Sequence, residues 1–226
     1  MIVIPEERFV ESPYIEWVAH GYTVADGLAM RPAGYNWHLI FTRHEGVLRT
    51  LVVGALEAAR PLSYVAGAET LWIRFKVGTF MPHLPATDTL NREITLPEGS
   101  GDHFWLESKV WESPTFENAE TFVKHLVRTG AVTCDPLIEA ALRDELASAS
   151  ARTLRYRFQH STGLGQNHIR QIKRAQRAVE LLHQGNPILD TAHELGYADQ
   201  SHLTHSLKRF LGYTPGEIVA STFQTG

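Results

Sequence analysis

Between Arg152 and Val179 the chain carries seven basic residues, Arg152, Arg155, Arg157, Arg170, Lys173, Arg174 and Arg177, and no acid. Glu145 precedes this block and Glu180 follows it. Guanidinium and ammonium groups gathered without carboxylates are the electrostatic footprint that binding a row of phosphates requires. The plain alternative is a solvated helix face. Other chemistry is scarcer. The single cysteine, Cys134, excludes an internal disulfide, a Cys-rich zinc site and an iron–sulfur cluster. His20, His38, His44, His83 and His103 raise a metal site, yet none falls in a tight His-x-His or His-x3-His spacing. No Ser/His/Asp order, phosphate-cradling loop or dinucleotide fingerprint stands in a supporting context. No catalytic residue, metal ligand or cofactor is therefore expected.

The charge balance sharpens the basic block. The chain of 226 residues has a net charge of −4, which on its face argues against nucleic acid. Residues 1–134 hold eleven Lys+Arg against sixteen Asp+Glu, and residues 135–226 hold ten against nine, so the parts carry −5 and +1. Hydrophobic residues at 43% and charged residues at 20% suit a globular chain with a real core, as one large domain or two small ones. No stretch approaches the roughly 18 apolar residues of a membrane span. The start, Met1 to Glu7, has no basic region, long apolar run or cleavage site. No secretory signal is thus expected, and a cytoplasmic location is the default.

The elements that must carry these residues change character along the chain. Residues 36–76 alternate with period two: Trp37, Leu39 and Phe41 on one side, His38, Ile40 and Thr42 on the other. Leu48 to Val53 and Leu71 to Lys76 follow, with Leu71, Ile73 and Phe75 inward and Arg74 and Lys76 outward. Turn residues separate these runs at Pro32–Gly34, His44–Gly46, Arg60–Pro61 and Ala66–Gly67, which suggests an antiparallel sheet or small barrel. Gly78, Pro82 and Pro85 make 78–100 mostly loop or short helix. From Ser113-Pro114, a cap followed by proline, the apolar period becomes three and four up to Gly130. Asp135-Pro136 opens the next helix in the same way. Ser150 caps a helix to Ser161 with Leu154 and Phe158 inward, and Gly163 ends it. A longer helix, Asn167 to His183, presents Ile169, Ile172, Ala175, Val179 and Leu182, and spans about 26 Å at ~1.5 Å per residue. Then come Pro187–Leu195, a turn at Gly196, a helix capped by Asp199 with Leu203 and Leu207 inward, closure at Gly212, and the capping box Thr214-Pro215-Gly216-Glu217. Ala192, four residues before Gly196, is small where two helices must approach. Helix, glycine turn, helix over 187–211 is the geometry of a DNA-reading unit, and short pairs of this kind also occur as plain structure.

The run Ile188-x3-Ala192-x3-Gly196-Tyr197-x-Asp199-x-Ser201-x-Leu203-x3-Leu207-Lys208-x3-Gly212-x-Thr214-Pro215 resembles the signature of the AraC/XylS family of transcription regulators. Leu207 stands where that signature usually has Phe. Upstream, Ser150-x3-Leu154-x3-Phe158-x4-Gly163 resembles the recognition helix of the family's first helix-turn-helix. In the segment Ala141 to Ser150 no glycine marks the turn, and Arg143-Asp144-Glu145 sit where apolar residues are expected, so a shortened or irregular scaffold is expected for that first unit. The resemblance implies an α+β chain: an N-terminal antiparallel β-rich, barrel-like domain, then an all-α double helix-turn-helix domain. The divisions are a sensor or dimerisation domain at 1–110, a helical linker at 111–134 and a DNA-binding domain at 135–226.

Carried over by position, the first recognition helix would offer Arg152, Arg155 and Tyr156 to double-stranded DNA. The second would offer Gln200, Ser201, His202 and His205 to base edges, with Thr204, Lys208 and Arg209 as phosphate candidates. Arginine suits guanine and glutamine suits adenine through paired hydrogen bonds, whereas phosphate contacts position without specifying. The resemblance further implies a regulator that is not an enzyme, controlled by a small-molecule effector or by homodimerisation, with RNA polymerase as a further partner and no membrane. Tyr35, Trp37, Trp72 and Phe75, with Trp105 and Trp111 beyond them, are candidates for an apolar ligand pocket; the alternative is that they are simply core. Three rival readings remain. One is a metal-dependent cupin-like enzyme with a basic helical tail. A DNA-repair alkyl-transfer protein is another, for which one cysteine is too few. The last is a protein-interaction module, which steep salt dependence of DNA binding would exclude.

Overall fold

The computed structural model describes residues 1–143, 145 and 150–222. In chain order the elements are β1 Ile2–Phe9, β2 Ile15–Thr23, β3 Gly27–Arg31, β4 His38–His44, β5 Val47–Val53, β6 Arg60–Tyr64, β7 Glu69–Phe75 and β8 Thr79–Phe80. They continue with α1 Ala86–Thr89, β9 Glu93–Thr95, β10 His103–Leu106, β11 Lys109–Glu112, α2 Ala119–Arg128, β12 Thr133–Cys134 and α3 Pro136–Leu142. The rest is helical: α4 Ala151–Thr162, α5 Gln166–His183, α6 Ile188–Glu194, α7 Gln200–Leu211 and α8 Pro215–Thr222. Two compact units result. One comprises 1–28, 35–55 and 63–166; the other comprises 29–34, 56–62 and 167–226.

The first unit is built on a six-stranded antiparallel sheet in the order β1-β2-β7-β4-β5-β9. The period-two pattern sets its two faces. Trp37, Leu39 and Phe41 are buried with Val18, Val52, Leu71, Ile73 and Phe75, while His38, Ile40 and Arg74 lie on the other face. Glu45 (φ 50°) and Gly46 (φ 78°) join β4 to β5. Two successive positive φ values give the turn whose twist matches the paired strands. Helix α2 covers the apolar face with Ala119, Val123 and Leu126, and its Phe122, like Phe104, meets Phe41 edge to face. The β-rich N-terminal half is therefore as expected, although β1 and β2 had not been anticipated. β1 contains Pro5, which an edge strand tolerates because half its ladder bonds face solvent.

One boundary is corrected. Ser113-Pro114 does not start a helix; α2 begins at Ala119. The intervening chain is held by other partners: Arg8 Nη2 donates to the Phe116 carbonyl (2.6 Å), its guanidinium lies 4.3 Å over the Phe116 ring, and Thr115 N donates to Asn118 Oδ1 (2.9 Å). These contacts satisfy groups that a first helical turn would otherwise have used. Downstream, Asp135 caps α3 by accepting from Leu137 N (3.1 Å), and Ser150 caps α4 by accepting from Thr153 N (3.1 Å). Gly163 closes α4 at φ 73°, and a Cβ there would stand 2.8 Å from the Ala86 carbonyl oxygen of α1. That glycine is required both for its conformation and for the close approach. In the irregular connection expected at 141–150, Asp144 and residues 146–149 lie outside the described residues.

In the second unit α5 turns Ile169, Ile172, Ala175, Ala178, Leu181 and Leu182 inward, leaving Val179 half-buried. Ala192 of α6 is fully buried, and Gly196 turns the chain at φ 70°. The box at α8 forms as expected: Thr214 N donates to Glu217 Oε2 (2.7 Å) and Glu217 N to Thr214 Oγ1 (3.3 Å).

Candidate nucleic-acid interface

Helix α7 is fixed by its buried stripe. Leu203, Leu207 and Phe210 are 0%, 0% and 3% exposed at spacings of four and three, which sets the rotation of the helix. The opposite face then presents Gln200, Ser201, His202, His205, Lys208 and Arg209, all exposed. Thr204 is half-buried and turns its Oγ1 back to the Gln200 carbonyl (2.8 Å). Asp199 accepts from His202 N (2.7 Å), fixing the first turn. His202 is pinned as well. Its Nδ1 accepts from Ala198 N (3.3 Å), and its ring stands edge-on to Tyr197 at 5.1 Å. With Nδ1 an acceptor, a neutral ring carries its proton on Nε2. Tyr197 is held in turn by Ser206 (3.1 Å) and by the Arg174 guanidinium 4.2 Å over its ring. This exposed face is thus carried on a braced helix and presents a carboxamide, a hydroxyl and two imidazoles, groups of the kind that can hydrogen-bond to base edges.

On α4, Arg152, Arg155 and Tyr156 are exposed, and the two arginines form no ion pair among the described residues. Tyr156 is 68% exposed and stacks on His160 with centroids 5.8 Å apart. The rest of the basic block is engaged within the chain. Arg157 pairs with Asp135 (2.8 Å), Arg177 with Glu180 (2.6 Å), Arg174 lies on Tyr197, and Arg170 and Lys173 have partners too. The charge run in the sequence therefore serves the scaffold as well as any phosphate.

The aromatic candidates divide. Tyr35 and Trp37 border a small cavity with Val52, Leu84 and Thr89, whose free volume is about 20 Å³, room for one water. Burial pushes the Tyr35 phenol up, the Glu16 charge adds to this, and Arg74 opposes it. Phe75 is fully buried and stacks on Trp37 at 3.9 Å, so it backs the cavity wall. Trp72 projects from the opposite face of the sheet, where a Cβ on Gly21 would come within 3.0 Å of it. Trp111 is buried against Phe122 and His125, and Trp105 is exposed. A more open cleft of about 210 Å³ went unanticipated: Phe80, Met81, Pro82 and Ala86 form one wall, and Tyr156, Gln159 and His160 of α4 the other. The His160 ring stands edge-on to Phe80 at 4.9 Å. The Pro-rich run at 82–85 was its only trace in the sequence.

The histidines are dispersed. His20 sits between Glu6 (3.2 Å) and Glu69 (2.9 Å), and His83 meets Glu107 (2.5 Å). Among the described residues no three His, Cys, Asp or Glu side chains gather as a metal site, and no helix is long and apolar enough to cross a membrane.

Comparison with known proteins agrees with the position of the helices. A family model described as a helix-turn-helix domain matches residues 145–221. Among curated proteins nothing matches. Solved structures similar to this chain include ToxT from Vibrio cholerae O395, with 10% identity, covering 90% of this chain and 95% of that one, at a TM-score of 0.42. A second ToxT structure from Vibrio cholerae has 11% identity and covers 100% of this chain and 99% of its own, at 0.40. A third, of unsaturated-fatty-acid-bound ToxT from Vibrio cholerae strain SCE256, has 11% identity and coverage of 97% and 94%, at 0.34. The family match falls on the capped, glycine-punctuated helices that include α7, and residues 145–221 are accordingly a helix-turn-helix domain of the AraC type.

Proposed function

We propose that this chain is a sequence-specific transcription regulator that reads double-stranded DNA through α7, with Arg152 and Arg155 of α4 adding phosphate or guanine contacts. The observation that carries this reading is the split of α7. Its apolar stripe is wholly buried, and the face left over is Gln200, Ser201, His202 and His205, flanked by Lys208 and Arg209. In this reading residues 135–226 form the DNA-binding part, joined through 111–134 to a regulatory part at 1–110.

Control by a small molecule is supported by the cleft between the 80–87 segment and α4. Its walls are mostly apolar and aromatic, it is larger than the small cavity beside Tyr35 and Trp37, and it shares Phe80, Met81 and Ala86 with that cavity. A ligand seated there touches Tyr156 and therefore has different contacts in different arrangements of α4, which is what an effector needs. The test is selection of bound sequences from a random DNA pool with the full chain. A discrete enriched motif, with affinity falling steeply as salt rises, is expected. Binding without sequence preference would refute the reading. For the effector, aromatic compounds that raise the melting temperature of the full chain should lose that effect in Tyr156→Ala.

A further inference from the structure

Two pieces of the N-terminal chain belong to the compact unit that contains α7: residues 29–34 and 56–62. Their contacts converge on one place, the C-terminal end of α7. A helix leaves its last four carbonyls without intrahelical partners. Gly212 N turns back to the Leu207 and Lys208 carbonyls (3.2 and 3.1 Å), as a left-handed cap does. The next two carbonyls are taken by distant residues. Arg209 O accepts from Ala59 N (2.8 Å), and Phe210 O accepts from Ala33 N (2.6 Å). The two donor segments are tied to each other by Gly34 N to Leu56 O (3.1 Å) and Leu56 N to Gly34 O (2.8 Å).

Side chains close the same junction. Gly212 has φ 86°, and a Cβ built on it would lie 2.2 Å from Met30 Cγ, so Met30 lies directly against this glycine. Phe210, 3% exposed, meets the His168 ring edge to face at 5.5 Å. His168 Nε2–H donates to the Glu57 carbonyl (3.0 Å), since a carbonyl can only accept. The start of α5, the end of α7 and both N-terminal segments are therefore one bonded cluster.

We infer that residues 29–34 and 56–62 are positioning parts of the DNA-reading unit: they clamp the C-terminal end of α7 and hold its reading face in place. Met30, Ala33, Ala59 and His168 are positioning residues for recognition although none lies on the reading face. An arrangement that met the end of α7 only by apolar contact would leave two carbonyls to water. Here both are used, from two separate segments that are themselves paired.

The test uses the full chain. In wild type without DNA, the amides of Ala33 and Ala59 should exchange with solvent as slowly as the amides of α7. Gly212→Ala should speed exchange at the end of α7 by about tenfold or more, because an L residue is strained at that φ and the new methyl meets Met30. Adding Met30→Ala should restore part of the protection, leaving the two substitutions clearly non-additive. On the selected DNA site, Gly212→Ala should weaken binding and the double variant should recover some of it. Fast exchange at Ala33 and Ala59 in wild type would overturn the clamp, as would simple additivity of the two substitutions. The recognition role rests on the proposed function, but exchange is read without DNA, so a clamp that holds in a chain showing no DNA binding would refute the proposed function and leave only the clamp on the end of α7 standing.

Discussion

Leu203 and His205 are two residues apart on α7 and should fail in opposite ways. Leu203 is fully buried, and its helix cannot slide to fill a void. Asp199 fixes one end through His202 N, and the carbonyls of Arg209 and Phe210 are bonded at the other. Leu203→Ala should therefore lie in the upper part of the usual range, at about 3–5 kcal/mol, because transfer and cavity costs add when the site cannot collapse. For a unit of this size that lowers the melting temperature by roughly 12–40 °C. DNA binding then declines because folded reader is lost. His205 is exposed, and His205→Ala should change stability by no more than about 0.5 kcal/mol. It should cost roughly 1–3 kcal/mol on the preferred site, a five- to 150-fold loss, and relax one or two base positions. Thermal melting by circular dichroism and fluorescence anisotropy on the selected site separate the two effects. If Leu203→Ala melts like wild type, Leu203 is not core and the helix phase is wrong. If His205→Ala leaves the selected motif unchanged, the base-reading role is refuted.

Other outcomes follow from single bonds. Asp199→Ala should cost about 0.5–2 kcal/mol by removing the cap at His202 N, with Asp199→Asn retaining most of it in the same melt. Arg152→Ala and Arg155→Ala should each lower the slope of log affinity against log salt by about 1 without changing the melting temperature, and an unchanged slope would take α4 off the phosphates. The Glu217 carboxyl lies below the usual carboxylate range because it accepts from Thr214 N and then from Thr214 Oγ1. Its folded-state pKa is thus below the unfolded one, so its contribution is present above the unfolded value and lost as pH falls through the folded value. Relative to the unstructured rate at each pH, protection of the amides at the start of α8 should fall on acidification in wild type and show no such carboxylate-range step in Glu217→Gln.

The parts legible in the sequence were those with local causes. Asp135-Pro136, Ser150, Asp199, Gly163, Gly196, Gly212 and the Thr214–Glu217 box act within a turn of themselves, so spacing alone located them. The inward sides of β4 and β7 and the buried pair Leu203 and Leu207 followed from period for the same reason. What failed had distant causes. Ser113-Pro114 has the chemistry of a helix start, but Arg8, more than a hundred residues earlier, holds Phe116 in another conformation. Strand β1 carries Pro5 and the charged run Glu6 to Arg8, and only pairing with β2 makes it a strand. The basic block left phosphate contact and a solvated face both open, and a count of charges cannot show that Arg157 pairs with Asp135 or that Arg174 lies over Tyr197, in other segments of the chain. Nothing near Ala33 or Ala59 points to α7, since backbone donors leave no residue-type signature.

The bonds from Ala33 and Ala59 to the end of α7 also set an order of events. Donor and acceptor are separated by roughly 150 residues or more, so the loop-closure entropy falls due before either bond contributes anything. During synthesis the donors leave the ribosome long before the helix that needs them exists. The helix itself forms on the timescale of local structure, helped by its own caps, but its last turn gains protection only when the oldest part of the chain has already folded and is waiting. In a pulse-labelled refolding experiment the amides of Ala33 and Ala59 should therefore become protected together, in the slowest phase, after the amides at the start of α7.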